Sequence, residues 1–96
     1  MFVVLLTFST NKALAGQYMD QHNAWIQRGL TDQVFLLIGS LQPKRGGAII
    51  AYNISLEDLQ QRLDQDPFVV EKVVDTEIIE ISPAKTDKRL QFLLTE

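Results

Sequence analysis

Val34-Phe35-Leu36-Leu37-Ile38, then Pro43-Lys44-Arg45-Gly46-Gly47, then Ala48-Ile49-Ile50-Ala51-Tyr52 is the stretch that decides the fold. Two short runs rich in β-branched and aromatic residues flank a turn bearing proline and glycine, which predicts an antiparallel hairpin. On its N-terminal side, Leu14, Tyr18, His22, Trp25, Ile26 and Gly29 recur at helical spacing, and Gln17, Gln21, Asn23, Gln27 and Arg28 fall largely off that stripe. Gly29 reads as the stop of this helix. Ahead of it, Phe2 to Phe8 is an apolar Val/Leu run ended by polar residues, the pattern of a buried strand.

On the C-terminal side, Ser55-Leu56-Glu57-Asp58 has capping-box character, and Leu56, Leu59 and Leu63 supply one apolar face of a second helix. Asp66-Pro67 reads as a helix restart, with Asp66 at the cap and Pro67 at the first helical position, where its missing N–H is harmless. Thr76 to Ile81 is a further strand, halted by Ser82-Pro83, and Leu90 to Leu94 is a last apolar run. The order strand–helix–strand–strand–helix–strand predicts an α+β fold of the ferredoxin-like βαββαβ kind. Ninety-six residues suit one domain spanning 1–96, with 83–96 as a C-terminal extension in which a short extra strand is a candidate.

Two helices cover only one face of a four-stranded sheet, and a sheet with one wet face should alternate apolar and polar residues. These strands do not alternate. Phe2, Val4 and Leu6 oppose Val3 and Leu5; Val34, Leu36 and Ile38 oppose Phe35 and Leu37; Ile49-Ile50 and Ile78-Ile79 repeat the pattern. Burying one large aliphatic side chain contributes roughly 1.5–3 kcal/mol, and half a dozen left exposed would form an interaction patch. A second copy over the open face, most simply a two-fold homodimer, is therefore expected. The alternative is that Leu90 to Leu94 folds back over its own sheet.

A net charge of −3 excludes the basic footprint that non-specific nucleic-acid binding needs. No apolar run reaches the ~18 residues of a membrane span. Met1-Phe2-Val3-Val4-Leu5-Leu6 lacks the basic flank and small-residue cleavage site of a signal peptide, so a cytoplasmic protein is expected. With no cysteine and one histidine, a transition-metal set is not expected. Nor is a cofactor, since Gly46-Gly47 is a turn and not a phosphate-cradling loop.

His22 is the only side chain of the type that titrates near neutrality. On the helix it lies one turn from Tyr18 and Ile26, so its ring points toward the sheet. There it is either a core histidine satisfied by some carbonyl or one half of an acid–base pair. Asp66 caps a helix with one carboxylate oxygen, which leaves the other to accept from an imidazole N–H. Asp64 is a weaker candidate partner. Arg45, with Lys44, sits on the glycine-bounded hairpin, either as a solvated turn charge or as a bidentate holder of a substrate carboxylate. Trp25, Tyr18 and Phe68 are core aromatics or pocket walls.

Five fragments together resemble the YciI-like family, whose members are similar to muconolactone isomerase. They are His22-Asn23-Ala24-Trp25, Val34 to Gly39, Lys44-Arg45-Gly46-Gly47, Asp64-Gln65-Asp66-Pro67-Phe68-Val69 and Ile79-Glu80-Ile81-Ser82-Pro83-Ala84-Lys85. The resemblance spans nearly the whole chain and implies a dimeric α+β barrel with His22 and Asp66 as a catalytic dyad. Gly39, Ser40, Arg45 and Phe68 are then the substrate-binding candidates. Ser40 stands where the family usually carries proline, and Ile38 where it often carries a small or polar residue, so substrate preference does not transfer.

The function expected is cofactor-free proton transfer, of isomerase, lyase or hydrolase type, on a small organic molecule, an anionic one being a candidate. The alternative is a non-catalytic protein that holds a metabolite or serves as an accessory in the same cleft. A third reading, a cofactor-free oxygenase, follows only from other barrels of this architecture. The expected partners are a small-molecule ligand and a second copy of the chain, with neither nucleic acid nor membrane.

Overall fold

The computed structural model describes residues 1–94. In chain order the elements are β1 (Phe2–Phe8), α1 (Ala15–Thr31), β2 (Phe35–Leu41), β3 (Gly46–Ala51), α2 (Leu56–Leu63), a single-turn α3 (Pro67–Val70) and β4 (Val74–Glu80). The four strands form one sheet in the order β2-β3-β1-β4, and every neighbouring pair is antiparallel. This is the expected ferredoxin-like α+β arrangement.

The register sorts side chains between two faces. Val4 lies opposite Ile49 on one side and Ile78 on the other. With Phe2, Leu6 and Ala51, Val4 and Ile49 are buried, and they pack in one core with Trp25, Leu59, Leu63 and Phe68 from the helices. Val3 opposes Ile50 and Ile79, which belong to the other face. There Leu37 is 54% exposed, and Ile79 and Ile81 are exposed too.

Helix starts follow local chemistry. Ser55 Oγ accepts from the Asp58 N–H at 3.1 Å, capping α2, and Asp66 caps α3 with Pro67 at its first position. Leu59 and Leu63 are buried, whereas Leu56, expected on the same face, is exposed at the first turn. Trp25 ties α1 to α2 by donating from Nε1 to the Arg62 carbonyl at 2.9 Å.

Four details depart from the sequence reading. First, Gly29 does not stop α1, which runs to Thr31; the chain turns at Gln33, whose φ is 61°. Gly29 is instead a close-packing residue, because a Cβ there would overlap the Phe35 ring. Second, β2 carries a bulge. Phe35 pairs with Ala51 and Leu37 with Ile50, so Leu36 is an extra residue. Phe35 and Ile38 therefore share the helix-facing side and Leu37 faces away, unlike the strict alternation expected from Val34.

Third, β4 begins at Val74, two residues before the expected start, and ends at Glu80. Fourth, the apolar tail run is not a strand: Lys88–Leu94 is a 3₁₀ helix. Asp87 starts it by accepting from the Arg89 guanidinium and backbone N–H, and these bonds hold its carboxyl below the usual carboxylate range. Phe92 meets Tyr52 edge-to-face at 5.4 Å, and Leu93 is buried, so the tail returns to the end of β3. Thr95 and Glu96, the end of the predicted extension, lie outside the described residues.

Candidate functional site

His22 and Asp66 are 44 positions apart in the chain, and the fold brings them into contact. His22 Nδ1 lies 2.8 Å from Asp66 Oδ1 in a buried hydrogen bond. Local structure fixes both ends. His22 projects from the buried stripe of α1 beside Trp25, and Asp66 is locked by its capping duty on α3, with Phe68 N–H donating to Oδ1 at 3.0 Å. The sequence reading gave the cap and the imidazole one carboxylate oxygen each. Here both bonds converge on Oδ1, and Oδ2 is buried without a partner among the described residues.

An ionised carboxylate only accepts, so against the Asp66 carboxylate the hydrogen on this bond belongs to His22 Nδ1. In the neutral ring that leaves Nε2 as an acceptor with a free lone pair. Nε2 has no protein partner among the described residues, yet it is not one of the sealed polar atoms. The Phe68 ring lies 3.9 Å from the imidazole centroid and only 5° from parallel, which fixes the ring plane.

The imidazole forms part of the wall of a cavity of about 380 Å³ between α1 and the sheet. Of the residues expected at a site, His22, Gly39, Ser40 and Phe68 line it. Asp66 stands behind His22, fully buried. Arg45 is not on the wall: it is exposed in the β2–β3 turn, where its carbonyl accepts from the Phe8 N–H at 3.0 Å. Asp64 is exposed and pairs with Gln60 at 3.2 Å. Trp25 and Tyr18 are absent from the wall as well; Trp25 is core, edge-on to Phe35.

Sequence reasoning missed Phe8, Met19, Asn23 and Ile26 as wall residues. The signal was available: Met19 and Ile26 lie one turn to either side of His22 on α1, and Phe8 continues the helix-facing parity of Leu6.

Gly46 also borders the cavity and requires glycine, with a φ of 133° and the Leu6 carbonyl where a Cβ would sit. A larger groove of about 710 Å³, between α2 and β4, is lined by Leu56, Gln60, Thr76 and Ile78 among others. It is wide open and, among the described residues, holds no acid–base pair, so the smaller cavity is the candidate site. Among the described residues, no three His, Cys, Asp or Glu side chains cluster as metal ligands, and no helix is long and apolar enough to cross a membrane.

No protein-family model matches the chain, and no curated protein matches its sequence significantly. Among solved structures it is similar to 5-chloro-2-hydroxyhydroquinone dehydrochlorinase from Burkholderia phenoliruptrix AC1100, determined in complex with 2,5-dihydroxybenzoquinone. The superposition has a TM-score of 0.69 and covers 93% of this chain and 98% of that one, at 13% identity. A likeness at that identity shows the fold alone.

Proposed function

We propose that the chain is a YciI-like protein that catalyses proton transfer on a small organic molecule without a cofactor, using His22 and Asp66. The observation that carries this reading is the buried Nδ1···Oδ1 bond of 2.8 Å behind an imidazole that lines a cavity. Asp66 keeps the proton on Nδ1 and the ring in one orientation. Nε2 accepts a proton from the substrate: an O–H or C–H bond breaks, an Nε2–H bond forms, and its electron pair stays on the substrate. The imidazolium then returns the proton to another atom (isomerisation) or to a departing group (elimination). Gly39, Ser40 and Phe68 are the residues proposed to touch the substrate; Arg45 is left out because it does not line the cavity.

The fold neighbour is named as a dehydrochlorinase, an elimination catalyst, which supports testing eliminations first. General acid–base catalysis of this kind contributes about 10²–10⁴-fold. On a turned-over substrate from an elimination and isomerisation panel, His22→Ala is expected to lower kcat by about that factor while the fold is retained. Unchanged turnover in the variant would sink the proposal.

The same proposal places a second copy of the chain over the open sheet face, in a cytoplasmic homodimer. The exposed Leu37, Ile79 and Ile81 support the second copy.

A further inference from the structure

We infer that the cavity beside His22 selects uncharged, largely apolar molecules that donate a hydrogen bond, and discriminates against carboxylates. The inference rests on reading His22 as the acceptor of the substrate's proton and adds the chemical class of what binds there.

Three observations carry it. Among the described residues, the wall contains no lysine or arginine. The cations nearest in sequence to wall residues, Arg28, Lys44, Arg45 and Lys72, are all exposed, and Lys12 Nζ lies over the Phe8 ring at 4.7 Å. The one formal charge built into the site is the Asp66 carboxylate, fully buried behind the imidazole. Among the described residues no lysine or arginine pairs with it, so an anion brought to Nε2 of the neutral ring faces a like charge with little water between.

Second, with Nδ1–H committed to Asp66, Nε2 of the neutral ring only accepts. A carboxylate has no proton to offer it, whereas a hydroxyl does. Third, Phe8, Met19, Ile26, Ile38 and Phe68 make most of the remaining wall apolar. Asn23 and Ser40 are the wall's other polar side chains, and they suit a second hydroxyl or a carbonyl better than a full charge. The volume lies at the low end for small-molecule sites, which run from about 300 to 1,000 Å³.

The test uses three probes of similar size at neutral pH: phenol (neutral donor), anisole (neutral, no donor) and benzoate (anion, no donor). Because His22 is the only histidine, imidazole-selective NMR gives one unambiguous set of signals, and calorimetry gives the affinities. Phenol is expected to bind at least about tenfold more tightly than benzoate, a difference of about 1.4 kcal/mol, and to move the Nε2 signal more than anisole does.

Asp66→Asn retains a good capping residue and removes the charge, so it is expected to narrow the phenol-over-benzoate preference. A structural role alone would leave that ratio unmoved. Benzoate binding as tightly as phenol, anisole matching phenol, an unmoved ratio in Asp66→Asn, or no phenol binding would each overturn the inference. The two readings fail separately: phenol-class ligands that bind but are never turned over sink the catalytic proposal alone, and turnover of a carboxylate substrate sinks only this one.

Discussion

At the scale of single residues, Asp66 does two jobs through one atom. Removing it as Asp66→Ala deletes a helix cap, at about 0.5–2 kcal/mol, and strands the His22 Nδ1–H in a buried site, at about 1–3 kcal/mol. Denaturant unfolding of Asp66→Ala is therefore expected to show a loss of about 2–4 kcal/mol, with Asp66→Asn losing clearly less because the cap remains. Equal losses would mean that the cap contributes nothing here. With a core histidine satisfied by some carbonyl as the other reading of His22, it was the resemblance to the YciI-like family that made its pairing with Asp66 legible. The convergence of both bonds on Oδ1 was not. It depends on the angle at which the chain enters α3, which no spacing encodes. Arg45 was left with two readings for a similar reason, since composition marks a turn but does not say which way its charged side chains lean; the side chain is exposed, as the solvated reading has it.

Among the elements, α1 shows how a packing demand can override helix propensity. Alanine is a better helix former than glycine by about 1 kcal/mol, so Gly29→Ala would stabilise an isolated helix. In the protein the new methyl would overlap the Phe35 ring, which is buried and wedged against Trp25 with the Arg62 guanidinium over it. Overpacking of that kind costs about 1–3 kcal/mol. Gly29→Ala is thus expected to lower stability by up to about 2 kcal/mol net, and a second change, Phe35→Leu, should recover part of the loss in a double-mutant cycle. Additive effects would separate the two residues. Sequence patterning found Gly29 near the helix end and assigned it the commoner role of a stop; only the position of Phe35 shows the other.

For the molecule as a whole, the two-sided apolar strands were the most legible feature, because period-two patterning directly reports how many faces need cover. The helices satisfy one face and the open face retains Leu37, Ile79 and Ile81. Sedimentation at micromolar concentration is expected to show a dimer, and Leu37→Lys combined with Ile79→Lys to give a folded monomer. A wild-type monomer would refute the second copy. The extra residue at Leu36 links this face to the cavity. It shifts parity within β2, so that Ile38 and Ser40 line the cavity while Leu37 stays on the open face. Pairing Leu36 directly with Ile50, so that the bulge is lost while the residue stays, would exchange the two surfaces over the rest of the strand. A one-residue slip that absorbs the bulge is thus a single step that would trade the side chains lining the cavity against those on the open face.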